Sequence, residues 1–338
     1  MAVKQGNQTF MMTKPVFVHD RACIVGNLEK EGPLGKYFDQ NEDQYFGQDT
    51  WEKAESRFQE AVYHKLLAGS TLEENMIDCV LGGDLLGQCS ATAMGLASVS
   101  RPFFGLFGAC STMAESLTLG SFLVDGGGIN NCVCITSSHF CSAEKQFRFP
   151  LELGTQRTPT SQWTVTGSGA VILSSEQSPV AITAVTPGVM TDMKVKDANN
   201  MGAAMACAAA STITAHLRDT NREPDYYDLI VTGDLGILGK DLMLDVLRRQ
   251  GINIPASRAF DCGEEIFDPK KQNTNCGGSG CGCCASVLAA YLLKEMEDGN
   301  LNKILFTATG ALMSPISVKQ GDSIVGIAHS VVLERQGG

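Results

Sequence analysis

The 338-residue sequence has no uninterrupted apolar run long enough to cross a bilayer. Its first residues, Met1 to Lys14, are polar and mixed, so they lack the apolar centre of a signal peptide. Positive charge is scarce. Against 37 Asp and Glu stand 26 Lys and Arg, a formal net charge of −11. That balance argues against a nucleic-acid partner and against docking on anionic lipid by charge alone. No Pro- or Ser-rich linker divides the chain. The 13 cysteines include no paired CxxC and no ferredoxin-type run. Cys276, Cys281, Cys283 and Cys284 therefore read as small buried residues of a Gly-rich turn. Neither a metal nor a cofactor is expected. An odd cysteine count without an export signal points to reduced thiols.

What is present is enough for a large core: 43% hydrophobic and 19% charged residues over about two domain lengths. One stretch organises the rest. Phe103 to Phe107 reads as a short apolar strand, Gly108-Ala109-Cys110-Ser111 as a tight turn, and Thr112 to Asp125 as a helix closed by Gly126-Gly127-Gly128. Cys110 sits at the elbow, where a helix N-terminus lowers a thiol pKa or holds an anion. A second apolar strand, Cys132 to Thr136, leads to Ser137-Ser138-His139. If the two strands are parallel, Cys110 and His139 face each other across one crevice.

Other elements follow from pattern. Residues 1–50 read as irregular. Trp51 to Leu67 has helical apolar spacing, Thr71 to Glu74 resembles a capping box, Ile77 to Leu81 is a strand, and Gln88 to Val99 is a small-residue helix. Phe140 to Trp163, with Lys145, Arg148 and Arg157 among aromatics, reads as a cap over the crevice. Thr166 to Leu173 and Pro179 to Val185 are strands, and Met201 to Arg218 is an Ala-rich helix. The second half repeats the first. Asp228 to Leu235 mirrors Asp78 to Leu85, each an Asp-led apolar strand closing on Gly-Asp-Leu. A Gly-rich turn then precedes a helix from Ala285 to Glu297 and a strand from Leu301 to Thr309. The expected architecture is α/β, an αβαβα sandwich of two duplicated halves: 1–175, carrying the cap 140–163, and 176–338.

A cysteine at a strand-to-helix elbow in the first of two duplicated units resembles the thiolase superfamily, which includes the ketoacyl synthases. Gly108-Ala109-Cys110-Ser111 matches the acylated cysteine, and Thr166-Gly167-Ser168-Gly169-Ala170-Val171 the Gly-rich strand after the cap. More finely, the chain resembles the stage V sporulation AD family of endospore-forming bacteria. The phrases that carry this are Glu31-Gly32-Pro33-Leu34-Gly35, Phe107 to Thr112, Thr136 to His139, Gln146-Phe147-Arg148, Val165 to Val171 and Gly277 to Cys281.

The resemblance implies a protein that loads dipicolinic acid into the developing spore beside membrane proteins made with it. Its expected place is peripheral, at the forespore or spore inner membrane, and a homodimer is left open. It also exposes departures. Where the superfamily places His or Asn, this chain has Thr232-Gly233-Asp234-Leu235-Gly236 and Gly280-Cys281. Ala308 to Ala311 stands where thiolases carry a second reactive cysteine. The nucleophile's position is kept and its machinery is missing.

The expectation is a non-catalytic binder, with an acyl-thioester transferase using Cys110 as the competing reading. Candidate ligand residues are Cys110, Ser111, Ser138, His139, Lys145, Arg148 and Cys281. Each has a plainer reading: Cys110 as a packed turn residue, His139 as a satisfied loop histidine, the three cap cations as a solvated face. Asp84 and Asp234, being symmetric, read as helix caps or loop ties.

Overall fold

The computed structural model describes residues 1–151 and 157–337. Ten strands make the path of one mixed sheet. They are β1 (Thr9–Gly26), β2 (Cys79–Gly83), β3 (Phe103–Gly105), β4 (Asn131–Ser138), β5 (Gly167–Ser174), β6 (Val180–Thr186), β7 (Leu229–Thr232), β8 (Ala259–Asp261), β9 (Lys303–Leu312) and β10 (Val325–Arg335). Their order is β8-β7-β9-β10-β6-β1-β5-β4-β2-β3. From the middle outward the same sequence appears twice, β1-β5-β4-β2-β3 on one side and β6-β10-β9-β7-β8 on the other. The antiparallel pair β1–β6 is the seam. At each outer end the short strands run parallel, β3 and β4 beside β2, and β8 and β9 beside β7.

Strand residues alternate between two faces, so each half-sheet buries both. On β5, Val171 and Leu173 join the central core while Ala170 and Ile172 meet the Trp51–Gly69 helix. On β9, Ile304 and Phe306 point to the centre, and Leu305 to the Met201–Thr220 and Gly236–Arg249 side. The Thr112–Asp125 helix and the helical segment 281–297 fill the middle layer. The layers run αβαβα, as the sequence pattern implies.

Close approach explains the small residues of that middle layer. A Cβ on Gly169 of β5 would lie 2.4 Å from the Ala285 backbone, and one on Gly282 would lie 2.4 Å from the Gly167 carbonyl. The Asp that opens each duplicated strand does the same work twice. Asp78 Oδ2 accepts from the N–H groups of Asn130 and Asn131, and Asp228 Oδ2 from those of Asn302 and Lys303.

Four readings need correction. Residues 1–50 are not irregular, because β1 is 18 residues long and lies at the seam. Lys14-Pro15 hid it. Proline donates no ladder hydrogen bond, and the register with β6 shifts between Met11 and Val16, where none is needed. The Thr71 capping box does not form. A short 3-10 turn, Glu74–Met76, has no side-chain cap, since the chain must enter β2 three residues later. The Gln88 to Val99 helix shrinks to Ser90–Gly95, after Gln88 and Cys89 turn at φ 57° and 53°. The helix expected from Ala285 begins at Cys281 and passes through a π segment, Leu288–Leu292.

Gly169→Ala is expected to destabilise the fold by about 1–3 kcal/mol, because the new methyl meets helix backbone that cannot move aside. Gly87→Ala, with open space around its Cβ position, serves as control. Chemical denaturation checks this, and equal midpoints for the two variants would contradict the packing described.

Candidate functional site

The elbow at Cys110 is held in a conformation that an L-residue adopts at a cost. Ala109 has φ 50°, in the left-handed region. Side chains on the next turn clamp it. Thr112 Oγ1 donates to the Ala109 carbonyl (2.7 Å) and accepts from the Gly108 N–H (3.1 Å), and Ser111 Oγ donates to the Gly108 carbonyl (2.7 Å). From the other half, Gly310 of β9 comes so near that a Cβ there would sit 2.2 Å from the Gly108 carbonyl. The two halves together fix where the thiol points.

The group facing that thiol is Asp234, which is fully buried. Its Oδ2 accepts from the Gly280 N–H (2.9 Å) and its Oδ1 from Thr309 Oγ1 (2.7 Å), while the Cys110 thiol hydrogen-bonds to the carboxyl. Burial pushes Asp234 up to about 7, against these donors. Burial, and then the charge and hydrogen bond of Asp234, push the Cys110 thiol well above its usual value. The Gly280 N–H favours the thiol's anion, but less than these effects oppose it. Cys110 is therefore a protonated thiol at neutral pH, the opposite of an activated nucleophile.

Asp234 was legible only as the twin of Asp84, and the twins differ. Asp84 ties its own loop, accepting from the N–H groups of Leu86 and Thr92 (both 2.7 Å) and from Thr92 Oγ1. In the second half Asp261 takes that role, accepting from Leu235 N (2.8 Å) and Gly236 N (2.9 Å). Asp234 is thereby released to reach across to Gly280 and Cys110.

The other candidates are placed as follows. Ser138 Oγ donates to the Val165 carbonyl and accepts from Gly282 N–H, and Cys281 Sγ donates to the Ser137 carbonyl. Both, like Ser111, spend their polar atoms on backbone. His139 does not face Cys110. Its Nε2 bonds the Gln44 carbonyl (2.7 Å), and its Nδ1 accepts from Cys141 N–H as the cap of the Phe140–Glu144 helix. Burial holds its pKa below the usual range, so the ring is neutral.

The cap cations are paired. Lys145 binds Glu52. Arg148 Nη1 and Arg157 share Glu144 Oε2, the former at 2.6 Å, while Glu144 Oε1 accepts from Thr164 N–H (3.0 Å). Arg148 Nε also donates to Asn199 Oδ1 (3.0 Å).

Above Cys110 opens a small, half-enclosed cleft. Ala109 and Cys110 form its floor, and Leu85, Phe107, Phe147, Met201, Met313 and Pro315 its walls, with Gln146, Thr164, Ser279 and Ser314 as polar points. Among the described residues no charged one lines it. Most of these positions gave no sign in the sequence, since seven separate segments supply them.

Asp234→Asn removes the negative charge that disfavours the thiolate, so the Cys110 pKa falls. Alkylation of Cys110 by iodoacetamide, followed by mass spectrometry between about pH 7 and about pH 10, should show its inflection at lower pH in the variant. A fall of one unit gives about a tenfold faster reaction on the low-pH limb. An unchanged profile would refute the pairing.

Comparisons with known proteins agree with this architecture. The family model "Stage V sporulation protein AD (SpoVAD)" matches residues 6–334. Stage V sporulation protein AD of Bacillus subtilis is 42% identical over 334 residues, covering 98% of each chain. Among solved structures, cerulenin-bound OleA of Xanthomonas campestris superposes with TM-score 0.61 at 14% identity, over 95% of this chain and 99% of that one. Human mitochondrial 3-ketoacyl-CoA thiolase with CoA gives 0.59 at 12%, over 97% and 99%. The 3-oxoacyl-[acyl-carrier-protein] synthase III of Aquifex aeolicus gives 0.57 at 11%, over 94% and 99%. The structural likeness is one of fold, and the sequence likeness is one of family: this chain belongs to the stage V sporulation protein AD family.

Proposed function

We propose that the protein is a non-catalytic member of the thiolase fold that binds dipicolinic acid, pyridine-2,6-dicarboxylate, in the cleft above Cys110. In this reading it serves uptake of that acid into the developing spore, beside membrane proteins. The observation that carries the non-catalytic part is the Cys110–Asp234 pair. A condensing enzyme needs a thiolate and donors aimed at a thioester oxyanion. Here a buried carboxyl stands next to the thiol and holds its proton in place. The acyl-transfer reading would require that relation to be reversed.

The cleft suits a flat ring. Phe107, Phe147, Met201 and Met313 offer an apolar slot, and Gln146, Thr164 and Ser279 offer polar groups to ring nitrogen and carboxylates. Charge comes from behind the wall. Two guanidinium groups, Arg148 and Arg157, face one carboxylate, Glu144, which leaves a net positive cluster at the back of Thr164. The proposal keeps Cys110 and Arg148 from the sequence-based candidates and moves the second contact from His139 to Gln146, Thr164 and Ser279. Among the described residues no helix is long and apolar enough to cross a membrane. Attachment therefore falls to partner proteins in this proposal.

Two outcomes are expected. Incubated with acyl-CoA, the protein forms no thioester at Cys110 and no condensation product. A condensation rate abolished by Cys110→Ala would overturn the reading. In titration calorimetry the parent binds dipicolinate, and Ala311→Phe, which fills the slot beside Cys110, weakens binding by at least about tenfold, the loss of roughly 1.4 kcal/mol. The exposed Arg249→Ala leaves binding unchanged. Equal affinity of the filled variant and the parent would place the ligand elsewhere.

A further inference from the structure

The long helix Met201–Thr220 begins at the wall of the cleft, since its first residue lines it. Twenty residues long, it carries a full positive dipole end and free first-turn N–H groups. Nothing in its own sequence answers them. Asn200 makes no side-chain cap bond, and the first turn holds no acidic residue. The 19-residue Trp51–Gly69 helix, by contrast, is capped by the Thr50 side chain.

A second observation converges on the same place. The Arg148 side chain is 4% exposed, and its Nη2 is buried without a hydrogen-bond partner among the described residues. Its other two nitrogens fix its direction. Nη1 holds Glu144, and Nε reaches Asn199, two residues before the helix begins. The guanidinium lies 5.0 Å from the centre of the Phe147 ring, which is itself a wall of the cleft. An unpaired buried guanidinium nitrogen forfeits a strong charge-assisted bond. Asn200, with a carboxamide oxygen also buried and unpartnered, adds an amide that can turn either face to a neighbour. Among the described residues a second acid that acts on Arg148 is Asp197, which is exposed and already accepts from the Asn199 N–H.

We infer that Arg148 Nη2 and the N-terminus of the Met201–Thr220 helix form a carboxylate-binding subsite behind the Phe147–Met201 wall of the cleft. As to its ligand, this rests on the proposed function, because it gives the far carboxylate of a flat aromatic diacid its partner. The ring occupies the apolar slot above Cys110, and one carboxylate extends past Phe147 to the guanidinium and the helix end. The subsite makes the protein selective for a diacid over the corresponding monoacid, since a monoacid leaves the Arg148 nitrogen unpaired.

Two measurements test it on the whole protein. In the first, calorimetry compares dipicolinate with picolinate, which lacks one carboxylate. The parent should prefer dipicolinate by about tenfold or more, the worth of one bond to a charged group. Arg148→Gln should abolish the preference, and Arg148→Lys should restore part of it. Asn200→Asp is the second probe. An acidic side chain at the helix start is a good cap, so it should raise the melting temperature. By repelling the carboxylate it should at the same time weaken dipicolinate. A merely structural role for these residues would move stability and affinity together.

In the second measurement, added sulfate stands in for the ligand's anionic group. It should raise the melting temperature of the parent more than that of Arg148→Gln or Asn200→Asp. If dipicolinate binds, but picolinate binds as well in the parent and the variants discriminate no less, the subsite is overturned while the proposed function stands. If dipicolinate does not bind, yet sulfate protection depends on Arg148 and Asn200, the ligand assignment falls and the subsite stands. Absence of both effects overturns both.

Discussion

A carboxyl buried against a thiol is the constraint around which this molecule is arranged. Asp234 and Cys110 are both acids placed together out of water: burial makes the ionisation of each costly, Asp234 raises that cost further for the thiol, and the thiol's hydrogen bond offsets part of it for the carboxyl. The pair persists because its polar atoms are satisfied. Gly280 N–H and Thr309 Oγ1 fill the carboxyl, and neither carries charge. A buried polar group costs little when it is hydrogen-bonded and much when it is not. The same need explains the surroundings. Gly280 lies at φ 105°, which favours glycine, and a Cβ there would meet Ser138 Oγ at 2.5 Å. Gly277, Gly278, Gly280 and Gly282 carry no side chain, so the backbone of this segment can come up to the carboxyl and to β4.

Duplication supplied the frame for this pair, and divergence between the halves supplied its chemistry. Both halves carry an aspartate after the second strand of the repeat. In the first it ties its own loop. In the second Asp261 has taken over the loop and released Asp234 inward. One relocated hydrogen-bonding duty therefore separates an architectural residue from a site residue. A reading by symmetry alone assigns both the same role, because a sequence displays a residue but not the N–H groups that compete for it.

Much of the fold was legible for a related reason. The strand, turn and helix around Cys110 use local signals: apolar alternation, small residues at a bend, a glycine run as a stop. The internal repeat extended them to the second half. What escaped was what depends on distant partners. The strand Thr9–Gly26 looks broken at Lys14-Pro15, and only the register shift against β6 shows that the break costs nothing. His139, Lys145 and Arg148 read as free polar groups near a crevice. Gln44, Glu52 and Glu144 engage them, and only Glu144 is near in sequence. The cleft drew its lining from seven segments, so no single window contained it.

These pairings bear on how an acidic protein could hold a dianion. With a net charge of −11, the long-range field opposes any anion's approach. That field is screened beyond about 8–10 Å at ordinary ionic strength, whereas buried charges keep their strength at short range. The positive groups here are placed accordingly. Arg148 and Arg157 are almost wholly buried and share one carboxylate, so they add nothing to the surface and a net positive charge to the wall behind Thr164. Glu144 is what makes two neighbouring guanidinium groups tolerable in the absence of ligand. A lone buried arginine would pay the full cost of desolvation while the cleft stood empty. Sharing one acid between two arginines lowers that cost and still leaves hydrogen-bonding capacity, seen directly in the unpartnered Nη2 of Arg148. The cluster is charge-paired when the cleft is empty and keeps a free donor, which is the property the proposed binding of a small dicarboxylate requires.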